Sequence, residues 1–334
     1  MLTRRERGFS LIELLVAIGV MGVVVLYALG TFTYQHQTYV VVDQVSEVQQ
    51  NIRAAASLIE RDLRSAGYMV PPEAAACGAD NTASADSLFT SDTDAILTVD
   101  ALPADFASEE LAAAVESAVG AVNAGSAIGF TVEDVVIDGT PSYDLNGDGV
   151  NESDFRVGAG AILADVANPG RGVACGVVTA VTAPGSVSVS FQTGLGGAAA
   201  LPAQFVLVPA HVYAVVTPPG DVSQLRRDGV ALAKDVEDLQ VAWFYDDDGD
   251  GQEDAGEMRG VVGTAYNTTL VDGNDLREVR VNLVARTRED DPRNPLNAGT
   301  GQTPENRSAA SAAGDDGRRR RSHTSIVRLR NLGA

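Results

Sequence analysis

Residues 246–257 read DDDGDGQEDAGE, which places Asp246, Asp248, Asp250, Gly251 and Glu257 in the order D-x-D-x-D-G-x5-E. Carboxylates at alternate positions can converge on one hard cation, and glycine at the sixth position permits the sharp turn that this needs. Gln252 would add its backbone carbonyl, and Glu257 would close the site with both oxygens. The chemistry is that of a calcium loop. The run before it, VAWFY, has the composition of a strand, so the loop would join two strands instead of two helices. The bland reading is a solvated acidic turn. A second stretch, Asp144, Asn146 and Asp148 followed by Gly149, begins in the same way. Its twelfth position is Phe155, and Asp154 or Glu152 would have to supply the last ligand. Calcium in either loop would be structural, neutralising carboxylates that repel one another.

Other chemistry is sparse. The histidines, His36, His211 and His323, are far apart in sequence and form no metal-ligand or nucleophile spacing. Gly194 to Gly197 lacks the lysine of a phosphate-binding loop. Arg318 to Arg321 form the one basic run. It shares a polar segment with Asp315 and Asp316 and reads as a solvated cluster, not a nucleic-acid site. The formal net charge of −21 argues in the same direction. No residue set supports an enzyme. The two cysteines, Cys77 and Cys175, have no metal-ligand company, and in an exported domain they would form one disulfide; two free buried thiols are the alternative.

One more acid stands out. From Leu14 to Tyr34 the chain has 21 residues without a charge, about 30 Å of helix and enough to cross a bilayer core. Glu13 sits at the edge of that run, where a carboxylate is costly unless paired. Before it, MLTRRER carries three arginines against one glutamate, and basic flanks stay on the cytoplasmic side. A secretory signal peptide would place its small-residue cleavage site after the apolar core, and Thr31 to Gln37 offers none.

Residues Gly8, Phe9, Ser10, Leu11, Ile12, Glu13 and Leu14 resemble the N-terminus of type IV pilins and the pseudopilins of type II secretion. The resemblance implies a prepilin peptidase that cuts between Gly8 and Phe9 and methylation of the new terminus. It also implies a role in assembly for Glu13, whose carboxylate would pair with the Phe9 amine of a neighbouring subunit. A plain membrane anchor with an incidental interfacial acid is the competing reading.

The elements that must position these residues can be read from periodicity. Val41, Val45, Val48, Ile52, Ala56, Ile59, Leu63 and Ala66 recur at steps of three and four, one apolar face of an amphipathic helix. Gly67, Pro71 and Pro72 end it. Residues 10–66 are therefore expected to form one helix of roughly 85 Å. Residues 71–95 read as a surface loop, and 106–123 as a short helix. Strands are expected at 127–137, 159–166, 173–181, 187–191, 205–216, within 230–245, at 276–286 and at 324–329. A polar loop should fill 289–323. The organisation is a leader at 1–8, a membrane or filament-core helix at 9–34, its amphipathic continuation at 35–67, and a head at 68–334. The fold class is α+β, with the long helix packed on antiparallel sheet.

Four stretches resemble PilW-type minor pilins and, next, J-type pseudopilins. They are AASLIERDLRSAGY at 55–68, ALAKDVEDLQVAWFYDDDGDG at 231–251, LREVRVNLVAR at 276–286 and IVRLRNL at 326–332. The resemblance implies a minor pilin in pilus assembly, with other minor and major pilins, inner-membrane lipid and the assembly machinery as partners. It implies a single-pass inner-membrane protein with a periplasmic head that later joins the pilus. A J-type pseudopilin and a calcium-dependent tip adhesin are the rival readings.

Overall fold

The computed structural model describes residues 10–68, 70–81, 83–92, 109–110, 122–131, 155–165, 168–182, 186–196, 205–254, 256–261, 275–291, 304–308 and 317–329. The chain divides into two compact units, Met1–Glu47 and Val48–Ala334. A single helix, α1 (Leu11–Ser65), supplies the first and enters the second.

Within the first unit, the most apolar 18-residue window of α1 has a mean hydropathy of 2.5, and none of it is buried. It is long and apolar enough to cross a membrane. Threonine hydroxyls bond within the helix: Thr31 donates to the Tyr27 carbonyl at 2.9 Å and Thr38 to that of Tyr34 at 2.9 Å. This spares them an unpaired polar group in an apolar setting.

In the second unit the expected stripe is realised. Val48, Ile52, Ala55, Ala56, Ile59, Leu63 and Ala66 are buried. Gly67 then turns the chain at φ +78°, a conformation that suits glycine. The stripe packs on two antiparallel sheets. The strands are β1 (Ala76–Ala79), β2 (Ser87–Ser91), β3 (Glu109–Glu110), β4 (Ala127–Thr131), β5 (Gly160–Asp165), β6 (Val173–Thr182), β7 (Ser186–Phe191), β8 (Phe205–Val216), β9 (Gln224–Arg227), β10 (Val230–Lys234), β11 (Val236–Tyr245), β12 (Met258–Arg259), β13 (Leu276–Arg286) and β14 (Arg320–Arg328). The larger sheet runs β1-β2-β8-β5-β6-β7-β4, with β9, β10 and β3 attached around β8; the smaller runs β12-β11-β13-β14.

One apolar cluster joins the helix stripe to the smaller sheet through Leu239, Val241, Trp243, Val279, Val281, Leu283 and Val327. A second lies within the larger sheet around Phe130, Phe155, Phe191 and Phe205, and a third surrounds Cys77 and Cys175. Asp86 couples the two sheets. Its N–H donates to the Leu239 carbonyl and its carboxylate accepts the Val241 N–H, both at 2.8 Å, covering the stretch of β11 that short β12 leaves open.

Several expectations need correction. Residues 71–95 are not simply a loop: they include a 3-10 turn at Pro72–Ala74 and strands β1 and β2. β1 is made of Ala, Cys and Gly, which carry little strand propensity. It forms because small side chains fit there; a Cβ on Gly78 would lie 2.7 Å from the Trp243 ring. The expected helix at 106–123 is contradicted where it is described, because Glu109–Glu110 pair with β8 and Val122 bridges to Leu195. Pairing with a formed sheet overrides local helical spacing. The polar loop at 289–323 gives up its end to β14, which begins at Arg320. Residues 304–308 of that loop are docked: Glu305 accepts bonds from Arg280 at 2.6 Å and 2.8 Å, and Arg307 donates to Asp238 at 2.8 Å.

Candidate functional site

The acidic loop sits where its sequence placed it, between two paired strands. β11 and β12 run antiparallel, with Trp243 opposite Arg259 and Phe244 opposite Met258. Tyr245 donates its N–H to the Glu257 carbonyl at 3.0 Å, so the two ends of the loop are held together. One carboxylate oxygen from each of Asp246, Asp248 and Asp250 falls within a span of 4.8 Å. Asp246 and Glu257 are buried at the base, and Asp248 and Asp250 are exposed at the mouth. Gly251 adopts φ +73° and donates its N–H to Asp246 Oδ1 at 3.2 Å, the turn that brings the first and third acids together.

The electrostatics of this loop are strained by like charge. Glu257 accepts the Asp254 N–H at 2.7 Å, which lowers its pKa, but burial, a hydrogen bond with Asp247 and the charges of Asp248 and Asp247 raise it to a net upward shift. Arg277 stands beside the cluster, its Nε 3.5 Å from Asp246 Oδ2. The donor set of carboxylates and carbonyls suits a hard divalent cation such as calcium. Gln252 spends its side-chain amide on Asp250 at 3.1 Å, which leaves its backbone carbonyl as the group that sequence assigned to the ion. The second stretch, Asp144, Asn146, Asp148 and Asp154, lies outside the described residues.

Glu13 lies in the first turn of α1 and its carboxylate accepts the Ser10 N–H at 2.9 Å, while the Ser10 hydroxyl accepts the Ile12 N–H at 3.4 Å. This is a capping box, spelled S-x-x-E by Ser10 and Glu13. Reading the acid only as an intermolecular partner misses this local role, although the spacing announces it. Glu13 thus has a place to rest before any partner arrives. Gly8 and Phe9 lie outside the described residues. Cys77 and Cys175 are joined in a disulfide, with Cα atoms 6.2 Å apart across a separation of 98 residues. It ties β1 to β6 across the larger sheet.

Two buried polar groups that sequence did not reveal fix the head. Asp62, on the buried stripe of α1, accepts the Tyr213 hydroxyl at 2.5 Å and the Arg227 Nε–H at 3.0 Å, and forms an ion pair with Arg227 Nη2 at 2.8 Å. Burial and the neighbouring carboxylate push the Tyr213 hydroxyl pKa up. His211 lies between two acids, with Nε2 3.0 Å from Asp92 and Nδ1 2.7 Å from Asp228. Burial lowers its pKa, but the bonds and charges of Asp228 and Asp92 outweigh this and raise it to about 9. The basic run is largely neutralised: Arg318 pairs with Asp290, Arg319 with Asp291 and Arg320 with Glu237.

Comparison with known proteins completes this description. Residues 3–29 match the model of the prokaryotic N-terminal methylation motif. Residues 214–331, which include β9 to β14 and the acidic loop, match the model of type IV pilus-assembly protein W. No curated protein matches the chain. Among solved structures, a type IV-like pilin from Thermus thermophilus aligns over 86% of this chain and 98% of its own, at 12% identity and a TM-score of 0.28. Two segments of the chain are thus similar to type IV pilus proteins: the processing motif at 3–29 and the part of the head at 214–331.

Proposed function

We propose that this protein is a minor pilin that takes part in assembling the type IV pilus. The observation that carries the reading is the presence, on one chain, of the methylation motif at 3–29 and the PilW match at 214–331. In this account the prepilin peptidase cuts between Gly8 and Phe9, and the freed Phe9 amine offers Glu13 a charged partner on a neighbouring subunit. The capping bond from Ser10 is then exchanged for an ion pair, which is stronger where water is scarce. The positive leader keeps the N-terminus cytoplasmic and sends the head to the periplasm before the protein enters the pilus. Its partners are other minor and major pilins, membrane lipid and the assembly machinery.

The loop at 246–257 is proposed to bind one calcium ion through Asp246, Asp248, Asp250, the Gln252 carbonyl and Glu257. Support comes from the convergence of three carboxylates within 4.8 Å and from the raised pKa of Glu257, which a cation would relieve. Its task would be to stiffen the hairpin at the end of the smaller sheet.

The test of processing is the intact mass of the protein purified from membranes. The expected species lacks Met1 to Gly8 and carries one added methyl. An uncleaved N-terminus would reduce the helix to an anchor and overturn the reading. Normal pili with failed protein secretion in a deletion strain would instead identify a J-type pseudopilin.

A further inference from the structure

Acids outnumber bases in this chain by 45 to 24, and described arginines commonly sit on carboxylates, among them Arg64, Arg171, Arg280, Arg307 and Arg320. Arg53 and Arg321 do not. Both line one pocket of about 80 Å³, together with Gln49, Ile52, Ser322 and His323. Among the described residues neither has an acidic partner; Arg321 donates only weakly to the Arg320 carbonyl at 3.4 Å. The local sequence explains this. The helical neighbours of Arg53 at three and four positions are Gln49, Gln50, Ala56 and Ser57, and Arg321 faces Ala285 across the β13–β14 ladder.

Glu60, a carboxylate that feels the charge of His323, is already engaged. It accepts the Ser325 hydroxyl at 2.6 Å and the Arg64 guanidinium at 2.7 Å. Ser325 spends its one proton on Glu60, so it must accept from His323 Nε2, 3.2 Å away. The imidazole is thereby held in place at the pocket wall, with Nε2 as donor. The pocket thus gathers two guanidinium groups, an amide and a hydroxyl, with no acid of its own. Like charges sharing a small polar cavity repel, and an oxyanion between them removes the conflict. β14 is also the sheet edge, with a strand partner on one side only among the described residues, so the pocket opens beside unpaired backbone.

We infer that this pocket, between the helix at Gln49–Arg53 and strand β14 at Arg321–His323, docks a carboxylate from an acidic segment of a neighbouring subunit. The inference deepens the assembly reading and rests on it. Charge complementarity favours this occupant: guanidinium pairs match carboxylates in bidentate geometry, and subunits of a strongly acidic protein present many carboxylates. It also accounts for two arginines that have no acidic partner among the described residues of a chain rich in acid.

The experiment uses the full-length protein in detergent micelles and a fluorescent hexaglutamate peptide, read by anisotropy. Inorganic phosphate and anionic phospholipid nanodiscs form separate arms. Wild type is expected to bind the peptide, and Arg53→Gln and Arg321→Gln are each expected to weaken it at least tenfold. Arg288→Gln, a charge-matched surface control, should leave binding unchanged. Emission of the single tryptophan, Trp243, verifies that each variant is folded, and Arg53→Lys, which keeps the charge without the fork, should bind with intermediate affinity. Absence of peptide binding, binding by either glutamine variant as tight as that of wild type, or binding of phosphate or nanodiscs alone would overturn the inference. Because binding is measured apart from pilus formation, such a failure leaves the assembly reading to its own test.

Discussion

Replacing Asp62 with alanine should loosen the grip of α1 on the head more than any other single polar change in that contact. Asp62 is 5% exposed and holds two side chains from two strands: it accepts from the Tyr213 hydroxyl on β8 and pairs with the Arg227 guanidinium on β9. Its loss strands a fully buried hydroxyl and a guanidinium whose side chain is only 20% exposed. Breaking a buried ion pair from one side costs about 3–5 kcal/mol, and the partial exposure of Arg227 places this case near about 3 kcal/mol. Tyr213→Phe removes one hydrogen bond and keeps the ion pair, so its cost should be about 1 kcal/mol. The two together should cost less than the sum, because they share one network. Denaturant titration of the full-length protein, followed by emission of the buried Trp243 in the same cluster, reads these differences directly. Equal losses for the two single variants, or a loss below about 1 kcal/mol for Asp62→Ala, would refute the view that this carboxylate anchors the helix.

Three further outcomes follow. Asp246→Ala combined with Asp248→Ala should lower the melting temperature more in the presence of calcium than without it; equal shifts with and without the ion would remove the site. Stability should fall as pH rises, because His211 has a folded pKa of about 9 against an ordinary 6.5; its contribution is complete below about 6.5 and lost through 9, on the order of 3 kcal/mol. Asp86 acts in the same direction, since burial raises its carboxyl from 3.8 to about 8. Urea titrations across this range should show a flatter upper limb in His211→Gln, and an unchanged slope would contradict the assignment. Reducing the Cys77–Cys175 disulfide, which closes a loop of 98 residues, should cost about 4–5 kcal/mol in the chain-entropy model, measurable as a lower denaturant midpoint with reductant.

The long helix was legible because its signals are periodic and redundant. The stripe from Val48 to Ala66 and the stop at Gly67 correspond closely to the buried face and the end of α1. Strands rich in Val and Leu, such as 205–216 and 276–286, were equally plain. What sequence could not show is structure made by neighbours. β1 is a run of small residues that becomes a strand only because Trp243 and β2 shape a slot for it. Glu109–Glu110 become strand because β8 offers an edge. Asp62 sits on the apolar stripe as an apparent exception, and its partners lie about 150 residues away. The acidic loop was visible as a pattern, and its placement on a hairpin followed from the strand-like VAWFY before it. The capping box of Ser10 and Glu13 was legible too, hidden behind a more specific motif.

The most direct test of the central claim is a count of surface pili by electron microscopy in a strain lacking this gene, with the wild-type gene restored in trans as the comparison. The account expects few or no pili in the deletion strain and recovery on restoration. Normal numbers of pili without the protein would contradict it.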